Sequence, residues 1–262
     1  MTQMNHEHML ALFDRRMRRE AAPDSPGAVV ERVGDVVRQT GGVADAWTGV
    51  LWSDLTEETV DAAIAQQVVH ATEVGREFEW KLYGHDGPVD LGDRLLAAGF
   101  TPEPTEALMI APVAALMTDA ALPDGVRLQQ VVDAAGVELV VQVHARNFGT
   151  GADRMRSRLL AKLADDPDTL RMVVAVADGE PVCAARMEFC PGTGFAGLWG
   201  GGTLPAWRGR GIYRALVAHR AREAAAAGYE YLQVDASDMS RPILERLGFA
   251  VLSTTTPYLL TP

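Results

Sequence analysis

The residues whose types and spacing carry the plainest chemistry lie in one stretch, 199–216. Trp199, Gly200, Gly201, Gly202 and Thr203 end an extended run with small residues where bulky ones are favoured, so something is expected to approach the backbone closely there. Pro205, Ala206, Trp207, Arg208, Gly209, Arg210 and Gly211 follow, and a helix is expected to open at Ile212. The first turn of a helix carries backbone N–H groups with no partner inside the helix, and the helix dipole adds partial positive charge. Together these make an anion site. Gly209 and Gly211 let anionic oxygens reach those N–H groups with no Cβ in the way. Arg208, Arg210 and Arg214 add positive charge in a chain whose formal net charge is -11. The chemistry these residues predict is the retention of a phosphate group.

Two familiar phosphate motifs do not fit. A P-loop needs Gly-Lys-Ser or Gly-Lys-Thr four residues after a first glycine, and no lysine follows either glycine here. A dinucleotide fingerprint needs Gly-x-Gly-x-x-Gly, and Gly209-Arg210-Gly211 continues into Ile212, Tyr213 and Arg214. The negative charge repels nucleic-acid backbones, so sequence-independent nucleic-acid binding is not expected, whereas a cationic amine would be attracted. Apolar residues make up 48% of the chain and charged residues 23%, the balance of a globular protein that can bury a sizeable core. Cys183 and Cys190 fall seven residues apart, on opposite faces of a shared strand, which argues against a disulfide. Residues 1–20 include His6, Asp14, Arg15, Arg16 and Arg18 and no apolar core segment, and are read as neither a signal peptide nor a membrane span. A cytoplasmic, reduced protein is expected. No His or Cys cluster has metal spacing, so no metal is expected.

The elements that must position the loop can be read on either side of it. In the C-terminal half, strands are expected over 126–131, 172–177, 181–189, 194–204 and 231–236, helices over 134–147, 153–164, 212–227 and 242–247, and a last extended segment over 249–260. The helix at 212 is dense in Ala and Leu and is stopped by Gly228. The N-terminal half echoes this ending: a strand over 77–83, a helix over 91–98, then Gly99-Phe100 and an extended run to Ile110 match the later strand, helix, Gly248-Phe249 and final run. An internal duplication is one reading; a common Gly-Phe helix ending is the other. The turn at Pro123-Asp124-Gly125 suggests two domains, 1–115 and 124–262.

What 208–213 does match, in all but its last position, is Arg/Gln-x-x-Gly-x-Gly/Ala, and in this it resembles the pyrophosphate-binding motif of the GNAT superfamily of acyl-CoA-dependent N-acyltransferases. The resemblance covers about 126–260, in the family's order of elements. It implies an α+β GNAT fold, a mixed and mostly antiparallel sheet flanked by helices, in a tandem arrangement with a degenerate GNAT-like N-terminal domain. By resemblance, Gly201, Gly202 and Thr203 would pair with the pantetheine, and Arg208, Gly209, Arg210, Gly211, Ile212, Tyr213 and Arg214 would hold the pyrophosphate. A splay between the central strand and the strand over 231–236 would admit the thioester. Three departures stand out. Tyr213 replaces the usual Gly or Ala, Ser237 replaces an Asn near the cofactor, and Leu244 replaces the Tyr that in many members protonates the departing thiolate.

The resemblance implies transfer of an acetyl group from acetyl-CoA to a primary amine, by direct attack on the thioester and mainly by positioning. A non-catalytic acyl-CoA-binding regulatory or sensor protein is the alternative, and Leu244 favours it. Catalytic candidates are Glu188, as a proton acceptor on the neighbouring strand, Asp235, with Asp238, at a strand end near the expected acceptor site, and Tyr258, as a replacement acid. Each has a plainer structural reading: a solvent-facing strand residue, turn residues and a strand tyrosine. His144 and His219 are read as structural or surface residues, and Trp47, Trp52 and Trp80 as core. The N-terminal half is expected to complete the acceptor pocket or to form a subunit interface, giving a homodimer.

Overall fold

The computed structural model describes residues 6–42, 46–149 and 151–262; residues 1–5 of the N-terminal segment lie outside these. In chain order the elements are α1 (His6–Phe13), continued by a π-helical stretch Asp14–Arg19, β1 (Ala28–Val33), β2 (Val36–Gly41), β3 (Gly49–Ser53), α2 (Val60–Val74), β4 (Phe78–Tyr83), α3 (Leu91–Ala97), β5 (Thr101–Pro102), β6 (Glu106–Pro112), α4 (Val113–Leu116), β7 (Val126–Gln130), α5 (Ala134–Phe148), α6 (Ala152–Asp165), β8 (Leu170–Ala177), β9 (Glu180–Cys190), β10 (Phe195–Thr203), α7 (Ile212–Ala226), β11 (Tyr231–Ala236), α8 (Arg241–Leu247) and β12 (Ala250–Leu260). This is the expected α+β class, and strand pairing is mostly antiparallel. No helix among the described residues is long and apolar enough to cross a membrane.

The chain forms two compact units. Unit 1 takes the described residues of 1–109 together with Asp235–Pro242 and Ala250–Pro262; unit 2 takes Ile110–Val234 and Ile243–Phe249. The division read from sequence, 1–115 and 124–262, differs in where the end of the chain goes. The reason is β12, which pairs antiparallel with β4 from Thr255↔Tyr83 to Leu260↔Phe78 and so joins the N-terminal residues.

Unit 1 runs β1-β2-β3-β4, with β12 beside β4. β1, β2 and β3 are antiparallel neighbours, α2 crosses over, and β4 returns parallel to β3. Its apolar cluster gathers Val36, Val50, Ile64, Phe78, Trp80, Leu91, Leu95 and Phe100. Of the three tryptophans expected in the core only Trp80 is there, at 1% exposure. Trp47 is half-buried because its indole N–H is used on Glu79 Oε2, at 2.6 Å, and half-buried Trp52 stacks with Arg32.

Unit 2 repeats the pattern. β7, β8, β9 and β10 are antiparallel neighbours, α7 crosses over, and β11 returns parallel to β10. α5 starts on an Asp133 carboxylate that accepts from Gly136 N–H at 2.8 Å, and stops at Gly149 in the left-handed region. Val137, Val140 and Val141 from α5 and Leu159 from α6 pack on Met172, Val174 and Ala184; on the other sheet face Ile212 and Leu216 from α7 pack on Val173, Ala175, Cys183 and Ala185.

The two Gly-Phe endings agree in their hydrogen bonds. Phe100 N–H donates to Leu95 C=O and Phe249 N–H to Leu244 C=O, both at 3.0 Å, with Gly99 and Gly248 at φ +95° and +107°. Leu95 and Leu244 are both fully buried. Leu244 is therefore the apolar anchor of a helix ending. Leu244→Ala is expected to lower stability by about 3 kcal/mol, as fully buried leucines do on truncation, which denaturant unfolding would measure.

Candidate active site

The loop before α7 lies wholly in unit 2. Gly209 and Gly211 have φ of +75° and +86°, a region side chains rarely adopt. A Cβ on Gly209 would meet nothing within 4 Å, and one on Gly211 would meet only the Arg214 side chain. Gly211 is the N-cap of α7 and supplies no side-chain cap; the first helical bond runs from Ala215 N–H to Gly211 C=O. The N–H groups of Ile212, Tyr213 and Arg214 are thus left over by the helix. Arg208, Arg210 and Arg214 are all exposed. Arg208 Nε donates to Thr203 C=O at 3.0 Å, and Arg210 stacks 4.6 Å from the Trp207 ring centroid, so two of the three arginines are held by the loop itself. The arrangement is an open, N–H-rich, cationic helix start.

The end of β10 forms the approach to that loop. Pairing with β11 covers Phe195↔Tyr231 to Gly197↔Gln233 and then ceases, so the two strands part as the sequence reading expected. On the other side, the register with β9 breaks between Trp199 and Gly202, which sets Gly200 and Gly201 against the single residue Ala185, and Gly200 takes φ +58°. The close approach expected at these glycines comes from the chain itself. A Cβ on Gly201 would stand 3.0 Å from Tyr213 Cε2, and one on Gly202 would stand 2.9 Å from Asn147 Nδ2. Thr203 Oγ1 donates to Cys183 Sγ at 3.1 Å. Burial raises the Cys183 thiol to about 11, which keeps it protonated and inert at neutral pH.

Sequence reasoning missed Arg220. Its guanidinium, 1% exposed, reaches from α7 to the sheet: Nε donates to Leu216 C=O at 3.1 Å and Nη1 to Arg186 C=O at 3.2 Å. Arg186 stands opposite Trp199, at the edge of the bulge, so Arg220 braces the strand where the β10 ladder fails. The signal was present, since Ile212, Leu216 and Arg220 are four residues apart on one buried stripe of α7.

The catalytic candidates fare differently. Glu188 is not solvent-facing: its side chain is 16% exposed, 3.0 Å from Lys162 Nζ and 3.3 Å from Arg186 Nε. Burial alone would raise its pKa, but Lys162, Arg186 and Arg158 outweigh this and hold it below the usual carboxylate range. It stays ionised and is a poor proton acceptor. Glu188→Gln is expected to lower stability by about 2 kcal/mol by stranding those cations, with turnover altered less than fivefold; paired melting and rate measurements would check both. Asp235 belongs to unit 1 and pairs with Lys81 at 2.5 Å. Ser237, also in unit 1, serves a turn in which its C=O accepts from Ser240 and Arg241 N–H, and Asp238 is exposed. Tyr258 lies against the unit 1 apolar cluster, its hydroxyl oxygen 2.6 Å from where a Cβ on Gly92 would sit. His144 stacks on Phe148, and His219 lies 2.9 Å from Gln130 Nε2. Among the described residues no group of three or more His, Cys, Asp or Glu side chains is placed to hold a metal.

Residues 138–249 match the acetyltransferase (GNAT) family, a span that contains the whole loop and both parted strands. This segment is a GNAT acetyltransferase domain. No protein of curated function matches the sequence. Among solved structures, the chain is similar to a GCN5-related N-acetyltransferase from Kribbella flavida, with TM-score 0.67 and 19% identity over 98% of this chain and 94% of that one. A GCN5-related N-acetyltransferase from Sphaerobacter thermophilus gives 0.62 and 14% over 97% and 84%. A tandem GNAT protein from the clavulanic acid biosynthesis pathway gives 0.60 and 14% over 92% and 85%. At these identities the likeness is one of fold, a tandem GNAT fold. Unit 1 has the GNAT strand pattern but not the GNAT loop. Between β3 and α2 it carries Asp54, Glu57 and Glu58, and Thr56 N–H is capped by Thr59 Oγ1 at 3.0 Å. Negative charge at that helix start disfavours a phosphate.

Proposed function

We propose that the protein is an N-acetyltransferase that takes its acetyl group from acetyl-CoA and delivers it to a primary amine. The observation that carries this reading is the helix start at Gly211, where leftover N–H groups, unobstructed glycines and exposed arginines suit a pyrophosphate. Arg208, Gly209, Arg210, Gly211, Ile212, Tyr213 and Arg214 would hold it. Gly201, Gly202 and Thr203, on the stretch of β10 that lies beyond its pairing with β11, would take the pantetheine by main-chain bonds. A backbone N–H near Gly201 or Gly202 would polarise the thioester carbonyl.

In the reaction the neutral amine attacks that carbonyl carbon, a C–N bond forms, and the C–S bond breaks. The thiolate leaves, and the proton lost by the amine nitrogen ends on the solvent or the thiol. With thiol pKa values of about 8.5, a thiolate departs near neutral pH without a strong acid beside it. The buried Leu244 in the place of the family's Tyr is compatible with such a route. The cytoplasm is the compartment that suits two free cysteines and an acetyl-CoA supply.

The test is release of free thiol from acetyl-CoA across a panel of primary amines. Release that depends on the amine, with the acetylated amine found by mass spectrometry, is the expected result. Acetyl-CoA binding with no release from any amine would count against transfer and for a sensor.

A further inference from the structure

Unit 2 holds a cationic cluster beside the β10 bulge that the phosphate loop does not use. On β9, Ala184, Arg186 and Glu188 alternate onto one face of the sheet. That face is covered by α5 and α6, since Ala184 packs with Val140 and Leu159 and Lys162 of α6 reaches Glu188 at 3.0 Å. Across the ladder Arg186 stands opposite Trp199, its guanidinium carbon 5.9 Å from the ring centroid. Its Nη1 lies at the bulge: a Cβ on Gly200, itself an exposed residue, would stand 3.6 Å away.

Arg186 is incompletely matched there. Its side chain is 14% exposed, and its buried Nε has no hydrogen-bond partner among the described residues; Glu188 Oε1 is 3.3 Å away without the alignment of a hydrogen bond. Glu188 gives its other oxygen to Lys162, so two cations share one carboxylate, and Arg158 stands one turn before Lys162 on α6. This excess of positive charge is held in a chain whose formal net charge is -11. Burial pushes the Arg186 pKa below its ordinary value, Glu188 opposing the shift and Arg158 adding to it. A buried donor with no acceptor is costly, and a docked carboxylate would supply both the acceptor and the charge, in the planar geometry that a guanidinium fits.

The position of the cluster says which molecule brings that carboxylate. α7, which opens on the phosphate loop, packs on the other sheet face through Ile212 and Leu216. A Cβ on Gly201 would meet Tyr213 of α7, whereas one on Gly202 would meet Asn147 and Phe148 of α5. The α5 face of β10 is thus the one left to the acceptor, and Phe148, 50% exposed, offers it an apolar wall. The thioester carbonyl is proposed near Gly201 or Gly202, one or two residues beyond Gly200, which is about 3 to 7 Å along a strand. A carboxylate on Arg186 and an amine at that carbonyl therefore belong to one small molecule.

We infer that Arg186 binds the carboxylate of the acceptor, and that the acceptor is a short amino acid whose amine and carboxylate are joined by one to three carbons. The inference rests on the amine-acetylating function proposed above and names its substrate class. The carboxylate takes no part in the bonds made and broken; it fixes where the amine stands. All the residues involved lie in unit 2.

The test is calorimetric titration of the full chain with glycine, β-alanine and 4-aminobutanoate, each beside its carboxamide, which keeps the amine and removes the charge. Each titration is run on the protein alone and with coenzyme A present, which permits no turnover. At least one acid is expected to bind about tenfold or more tightly than its carboxamide, the factor for one charge-assisted hydrogen bond. Arg186→Gln is expected to bring acid and carboxamide to equal affinity, and because Lys162 and Glu188 remain matched it is expected to fold, which a thermal melt checks. Equal binding within every pair, binding of neither member of any pair, or a preference that survives in the folded Gln variant would overturn the site. The wild-type comparison needs no variant. Succinyl-CoA is the other source of such a carboxylate: it is expected to bind no more tightly than acetyl-CoA, and tighter binding that is lost in Arg186→Gln would overturn the assignment to the acceptor. Thiol release is measured separately, so failure of the transferase reading shows there and failure of the carboxylate site shows here.

Discussion

Gly211→Asp is expected to abolish acetyl-CoA binding, with affinity reduced at least a hundredfold, while the protein stays folded. The two halves of this expectation have different physical origins. Gly211 is the N-cap of α7 at φ +86° with no side chain of its own to cap the helix. Aspartate is among the better N-cap residues and tolerates the left-handed region better than most, so gain and strain of about 1 kcal/mol each nearly cancel. The carboxylate, however, would stand where the pyrophosphate is proposed to sit and would occupy the same N–H groups. Calorimetry and a thermal melt on the same sample separate the effects. Unchanged affinity would remove the loop from the site.

Glu106→Gln is expected to raise stability at pH 8. The sign follows from the direction of the shift, since burial and then the Asp235 charge push the Glu106 carboxyl up from an ordinary 4.5 to about 7. Below pH 4.5 the carboxyl is protonated in folded and unfolded chains alike and costs nothing. Between 4.5 and 7 the unfolded chain loses the proton while the fold retains it, and above 7 the fold bears the full cost of the buried charge. Stability present in acid is therefore lost as pH rises. Glutamine removes that loss, which amounts to about 1 to 2 kcal/mol once partial exposure is discounted. Melting curves at pH 4 and pH 8 should differ accordingly, with no gain at the lower value.

Much of unit 2 was legible because its determinants are local. The start of α7 is written in Gly209, Gly211 and three arginines within seven residues, and its end in Gly228. The Gly99-Phe100 and Gly248-Phe249 endings were legible for the same reason, and their matching bonds to Leu95 and Leu244 follow from backbone chemistry that a short sequence specifies. What escaped reading depends on residues far apart in the chain. β12 pairs with β4 across a separation that no local pattern encodes, and this moves the C-terminal strand into unit 1.

The same distance hides the electrostatics. Lys81 and Asp235 are 154 residues apart, so neither their pairing nor its effect on Glu106 could be seen in sequence. Glu188 read as an open strand carboxylate because Lys162 reaches it from α6, 26 residues away, while Arg186 stands two residues before it on the same strand. Tyr258 illustrates a different gap. Period-two alternation says that successive residues of β12 face opposite ways, but not which face is core, and Tyr258 took the face of Trp80 and Leu95. Glycines 201 and 202 pointed to close approach, and only side-chain positions reveal that Tyr213 and Asn147 supply it.

Calorimetric titration of the full chain with acetyl-CoA tests the central claim most directly. The account predicts saturable binding at one site per chain, weakened by raised salt as expected for arginine contacts to phosphate, and lost in Gly211→Asp. Absence of binding at millimolar acetyl-CoA, or binding that the Gly211 variant retains, would contradict it.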